Sequence, residues 1–171
     1  MQSARPFAPI SLTLASEDAT AGLADRLGEL LRPGDTLLLE GRIGAGKTAF
    51  ARALIGALRR RAGDPPEEVP SPTFTLIQVY AAGPLEIWHA DLYRLGHPDE
   101  VVELGLEEAF ASAICLVEWP DRLGDLAPPS ALTLSFAPGA SETSRTLRLS
   151  ASDPAWRDRL SPLLETSTKD A

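Results

Sequence analysis

The chain has 171 residues, 44% of them hydrophobic, and its 16 Lys and Arg against 24 Asp and Glu give a net charge of −8 and a pI near 4.8. That length fits one domain over 1–171, with 1–9 and 165–171 expected as loose termini, and the acidic balance argues against a stand-alone nucleic-acid binder, which needs a dense basic footprint. One cysteine, Cys115, excludes an intramolecular disulfide, and residues 1–10 are too short and Pro-broken for a signal peptide; no apolar run reaches the roughly 18 residues of a membrane span, so a cytoplasmic protein with no membrane partner is expected.

Ile10 to Leu14 alternates apolar and polar, the pattern of a half-buried strand. Ser16 then offers an N-cap oxygen ahead of Glu17 and Asp18, and Leu23, Leu27, Leu30 and Leu31 recur at helical spacing until Pro33 and Gly34 stop the helix. Thr36 to Glu40 is a short, nearly continuous apolar run, as in a strand buried on both faces. Gly41 to Thr48 is a glycine-rich turn, and Ala49 to Arg61 reads as a helix whose Arg59, Arg60 and Arg61 complement its dipole as a solvated end. After a loop over 63–70, Thr73 to Tyr80 and Leu85 to Asp91 read as a hairpin around Ala-Ala-Gly-Pro. Pro98 to Phe110 holds one or two short helices, and Ile114 to Val117 is a buried strand closed by Glu118. Ala131 to Phe136 and Ser144 to Ser150 form a last strand pair, and Asp153 to Leu164 a terminal helix. The mixture predicts an α/β fold, a P-loop NTPase-like three-layer sandwich with a mixed, mainly parallel central sheet and antiparallel additions.

Gly41-Arg-Ile-Gly-Ala-Gly-Lys47-Thr48 fits G-x-x-x-x-G-K-[ST]. Glycines let backbone amides curl around phosphate, and the following helix aims its positive end at the same anion. Lys47, one of only two lysines, would reach the β- and γ-phosphates, and the Thr48 hydroxyl would join Mg²⁺. Gly41, Ile43, Gly44, Ala45, Gly46 and Ala49 complete the expected ATP-binding set; the bland alternative is a glycine turn that binds nothing. A P-loop needs a second support for the metal, usually an acidic residue, and Glu118, at a strand's carboxyl end, supplies it unless it is an ordinary surface residue. Asp91 ends another apolar strand and could orient an attacking water, hold Mg²⁺ through water, cap a helix or pair with Arg94. His89 could brace Asp91 or be structural, while Tyr93 and Arg94 read as packing and ion-pair residues. Thr73 follows a flexible loop and could meet the γ-phosphate or simply favour a strand.

Five segments in this order and spacing, Gly41 to Thr48, Ser71 to Leu76, His89 to Leu95, Leu104 to Glu108 and Val117 to Pro120, resemble the bacterial TsaE (YjeE) family, the small ATPase of tRNA threonylcarbamoyladenosine synthesis. The resemblance covers about Ile10 to Ser150. It implies ATP and Mg²⁺ as cofactors. It also implies partnership with the TsaB–TsaD pair, which transfers threonylcarbamoyl to the adenosine beside the anticodon, so that tRNA is met only indirectly. By motif, Lys47 and Thr48 bind phosphate and metal, Glu118 is the second metal residue and Asp91 the hydrolysis-linked carboxylate. Trp119 is an aromatic needed for function, and Glu17, Thr20 and Arg145 approach the nucleotide. The chain departs from the family at Arg42, where Asp is usual; the simplest account is a solvated Arg, and the alternative is a positive charge near the γ-phosphate that alters hydrolysis or partner docking. Three other classes compete. A GTPase needs an Asn-Lys-x-Asp motif, and the chain has no Asn. A small-molecule kinase usually starts at its P-loop and carries an Arg-rich lid. A binding module would hold nucleotide without turning it over.

Overall fold

A computed structural model describes residues 7–72 and 74–167, without the side chains of 165–167. One seven-stranded sheet runs in the order β1-β7-β6-β2-β5-β4-β3. Its strands are β1 (Ile10–Leu14), β2 (Thr36–Glu40), β3 (Ile77–Ala82), β4 (Leu85–Asp91), β5 (Ile114–Glu118), β6 (Leu132–Pro138) and β7 (Arg145–Ala151). The central four, β6, β2, β5 and β4, pair in parallel, while β1, β7 and β3 join through antiparallel pairings. This is the mixed α/β architecture expected from the sequence.

The apolar run of β2 explains the layering. Leu37 and Leu39 point into one core with Leu116, Leu134 and the helices α1 (Glu17–Leu30) and α2 (Lys47–Arg61). Leu38 points into a second core on the other face, with Val117, Leu92 and residues of α3 (Asp99–Glu103) and α4 (Leu106–Ser112). A strand covered on both faces must be apolar at every position, which the sequence of β2 and β5 satisfies. Ser16 caps α1 by accepting a hydrogen bond from the Ala19 amide.

Several boundaries differ from the sequence reading. Helix α2 begins at Lys47, two residues earlier than expected, because Gly46 adopts a left-handed conformation and serves as its N-cap. Strand β3 begins at Ile77, since 74–76 form a turn in which the Leu76 amide donates to the Pro72 carbonyl. It also runs through both alanines of the expected turn, leaving Gly83 and Pro84 at the bend. The terminal helix is two helices, α5 (Ala155–Arg159) and α6 (Ser161–Ser167); Pro162, lacking an N–H, cannot continue one helix through this point. The expected loose tail from residue 165 is therefore helical to Ser167, and Phe7, placed in the other loose terminus, is buried in the main core.

The arginine cluster is a solvated end only in part: Arg60 and Arg61 are exposed, and Arg59 is not. Arg59 is buried and donates to the carbonyls of Ala81 and Pro65, tying β3 and the 62–72 loop to α2. Arg61 pairs with Asp25 at 3.1 Å and Glu29 at 2.9 Å on α1.

Candidate functional site at the carboxyl ends of the parallel strands

Parallel strands bring their carboxyl ends to one edge, where α/β sheets hold ligands. Here β2 ends at Glu40 and runs into the glycine loop, β5 ends at Glu118, and β4 ends at Asp91, paired in register with Glu118. The loop turns sharply at Gly41, with φ of 147°; a Cβ there would stand 2.8 Å from the Phe136 carbonyl oxygen. Gly46, with φ of 111°, lies against Arg145, whose Nε would be 3.2 Å from an added Cβ. Gly41 requires glycine for conformation and for space, and Gly46 for conformation, since its neighbour is a flexible side chain.

Two cavities flank this loop. The smaller, of about 230 Å³, is lined by Ile43, Gly44, Lys47, Thr48, Ser71, Asp91, Tyr93, Glu118 and Trp119. The Thr48 hydroxyl donates to Glu118 Oε1 at 2.8 Å, and His89 Nε2 lies 2.7 Å from Glu118 Oε2. Glu118 and His89 are buried almost completely, at 2% and 0% exposure. His89 thus braces Glu118, not Asp91. Asp91 accepts a hydrogen bond from the Tyr93 amide at 3.0 Å, a local turn rather than the N-cap of a helix, since α3 starts only at Asp99.

Lys47 is 5% exposed. Its ammonium donates to the Gly41 carbonyl and sits 3.5 Å from the centre of the Trp119 ring, which packs on Tyr93 with ring centres 4.9 Å apart. Burial lowers the Lys47 pKa below 10.5, opposed by the negative charges of Glu118, Asp91 and Asp121. Trp119 takes a left-handed backbone (φ 59°, ψ 54°), uncommon for an aromatic residue, and this turns its ring toward the loop.

The larger cavity, about 340 Å³, opens on the other side of the loop and is lined by Glu17, Thr20, Ala21, Gly46, Ala49, Arg52, Ala53, Phe136, Thr143 and Arg145. Residues from the start of α1, the first turns of α2, and β7 meet here. Glu17, Thr20 and Arg145, singled out by resemblance, therefore lie together, beside Gly46 and Ala49. Ala45 lines neither cavity; it is buried, and its amide donates to the Arg42 carbonyl. Arg42 is exposed and borders a third hollow with Glu40, Gly41, Trp119, Pro120 and Asp121. Thr73 lies outside the described residues.

Sequence reasoning missed Ala21, Arg52, Ala53, Phe136, Thr143 and Ser71 as lining residues. Arg52 and Ala53 follow Ala49 at helical spacing and were legible in principle; Thr143 sits in an irregular segment with no periodic signal. Tyr93 was read as packing, and it does stack on Trp119, but it also lines the phosphate-loop cavity. Arg94 stacks over the exposed Phe74 ring at 4.5 Å.

The donor set fits a nucleotide-borne Mg²⁺ better than a protein-held ion. Among the described residues no cluster of three or more His, Cys, Asp or Glu could hold a metal. Mg²⁺ usually takes one or two protein ligands and fills its octahedron with phosphate and water oxygens. One hydroxyl and one carboxylate, Thr48 and Glu118, bonded to each other at the foot of α2, suit that mode.

The strand–glycine loop–helix unit, in a sheet with this order, defines a P-loop α/β protein. A family model described as "Threonylcarbamoyl adenosine biosynthesis protein TsaE" matches residues 14–147. Among curated relatives, the tRNA threonylcarbamoyladenosine biosynthesis protein TsaE of Rickettsia conorii is 42% identical over 124 residues, covering 72% of this chain and 69% of the relative. The protein of the same description from Bacillus subtilis is 37% identical over 118 residues, covering 68% and 70%. The crystal structure of Bacillus subtilis YdiB superposes with a TM-score of 0.73 at 26% identity, over 96% of this chain and 97% of that one. The chain belongs to the TsaE family of tRNA threonylcarbamoyladenosine biosynthesis. Among the described residues no helix is long and apolar enough to cross a membrane.

Proposed function

We propose that the protein is a cytoplasmic, Mg²⁺-dependent ATPase that acts with the TsaB–TsaD pair and permits repeated rounds of threonylcarbamoyl transfer to tRNA. The observation that carries the nucleotide part is the joining of Thr48 and Glu118 at 2.8 Å beneath the glycine loop, with Lys47 and Asp91 lining the same cavity. The loop amides and the Lys47 ammonium bind the β- and γ-phosphates and stabilise charge that develops on them. To do so, Lys47 leaves the Gly41 carbonyl and the Trp119 ring. Mg²⁺, when bound, would supply neutralisation of the phosphate charge. Thr48 and Glu118 would hold it, and Asp91, in register with Glu118, would orient the attacking water. The larger cavity, adjoining Gly46, takes the ribose and base, with Glu17, Thr20 and Arg145 on its walls.

Family membership and the absence of Asn support ATP over GTP and tRNA modification over kinase chemistry. Calorimetric titration with ATP and GTP in Mg²⁺ tests the nucleotide directly. ATP binding that is lost in Lys47→Ala is expected. Tight GTP binding without ATP binding contradicts the proposal, and phosphate transfer to a small acceptor favours a kinase.

A further inference from the structure

Glu118 is a buried carboxylate with both oxygens engaged by different donors. Oε1 takes the Thr48 hydroxyl at 2.8 Å, and Oε2 takes His89 Nε2 at 2.7 Å. An ionised carboxylate accepts only, so His89 carries its proton on Nε2 and donates. The other ring nitrogen agrees, since the buried His89 Nδ1 has no hydrogen-bond partner. A bare lone pair there is tolerable, whereas an N–H in the same place would be an unsatisfied buried donor. The neighbouring strands set the reach. His89 lies two residues before Asp91 on β4, and Asp91 pairs in register with Glu118 on the parallel strand β5.

We infer that His89 is a positioning residue: its Nε2–H fixes the Glu118 carboxylate so that the other oxygen faces Thr48 and the phosphate-loop cavity. Without that donor, Oε2 would be a buried acceptor with nothing to bond, and the carboxylate would rotate to recover a partner. Partners of this kind around a metal-directed ligand typically govern affinity for the ion. The role depends on Glu118 acting toward Mg²⁺ as proposed above, and the test separates the two.

Mn²⁺ is titrated into the intact chain, His89→Leu and His89→Gln, each saturated with the non-hydrolysable analogue AMP-PNP, and bound metal is read by EPR. ADP affinity in EDTA is measured alongside. His89→Leu is expected to weaken Mn²⁺ binding at least about tenfold with metal-free ADP affinity unchanged, while His89→Gln, which keeps a donor at similar reach, stays within about threefold of the intact chain. Unchanged Mn²⁺ affinity in His89→Leu, equal losses in both variants, or a parallel loss of ADP affinity overturns the positioning role. If the intact chain with AMP-PNP binds no Mn²⁺, the metal assignment of Glu118 fails first. Should His89→Leu not fold, ¹⁵N NMR of the intact chain decides: an Nε2–H tautomer is expected, and a proton on Nδ1 alone contradicts the inference.

Discussion

Lys47 shows how a functional residue can be held at a cost to the fold. It is the charged group proposed to meet phosphate, yet it is buried against a carbonyl and an indole ring, and burial pushes its pKa below the ordinary 10.5. In the window between the lowered folded value and 10.5 the unfolded chain binds more protons than the folded one, so stability from this group rises with pH across that window. Below the window the whole penalty is present. Lys47→Met should therefore raise the stability of the nucleotide-free protein at about pH 7.5, by an amount that shrinks as pH climbs toward 10.5, while abolishing ATP binding. Urea unfolding of both forms at several pH values checks this; a variant less stable than the parent at neutral pH contradicts it. The partners of Lys47 were not legible in the sequence. Trp119 follows Glu118 in the chain, but only its left-handed backbone turns the ring onto the ammonium. The His89–Glu118 pair spans 29 residues between two strands, and no local pattern announces it.

At the scale of elements, the glycine loop links sequence to site most directly. Its spacing alone points to phosphate, and the strand before it and helix after it lie where that spacing requires. The structure adds which glycines are indispensable. Gly41 has both a positive φ and the Phe136 carbonyl 2.8 Å from a would-be Cβ, whereas Gly44 has a positive φ but open space. Gly41→Ala should cost about 1–3 kcal/mol more stability than Gly44→Ala in denaturant unfolding, because the first must move backbone and the second only tolerates strain. Equal costs would show that the Phe136 contact yields freely. Strands β2 and β5 were readable because both faces are covered, which leaves an unbroken apolar run. The break between α5 and α6 was missed because the apolar spacing runs through Leu160 and Leu163 and masks Pro162. Arg59 was misread because a basic residue in a last helical turn usually meets solvent; here the Ala81 carbonyl of β3, the Pro65 carbonyl of the following loop and the Glu67 carboxylate at 3.2 Å offset its burial.

On the scale of the whole molecule, the parallel strands deliver Glu40, Asp91 and Glu118 to one edge, and α1 and β7 close the larger cavity beside the loop. This architecture was legible as an α/β mixture, but the strand order was not, because only tertiary pairing places β2 between β5 and β6. The net charge of −8 suits a subunit that leaves contact with tRNA to partners. In the proposed function, nucleotide state at one edge of the sheet governs the cycle of an assembly rather than a reaction of the chain's own substrate. The measurement closest to that claim reconstitutes tRNA threonylcarbamoylation with the TsaB–TsaD pair and ATP, counting modified tRNA per partner complex. The intact chain should support many turnovers, and Lys47→Ala and Glu118→Ala should stop near a single one. If both variants sustain turnover like the intact chain, nucleotide binding and hydrolysis at this site do not drive the cycle.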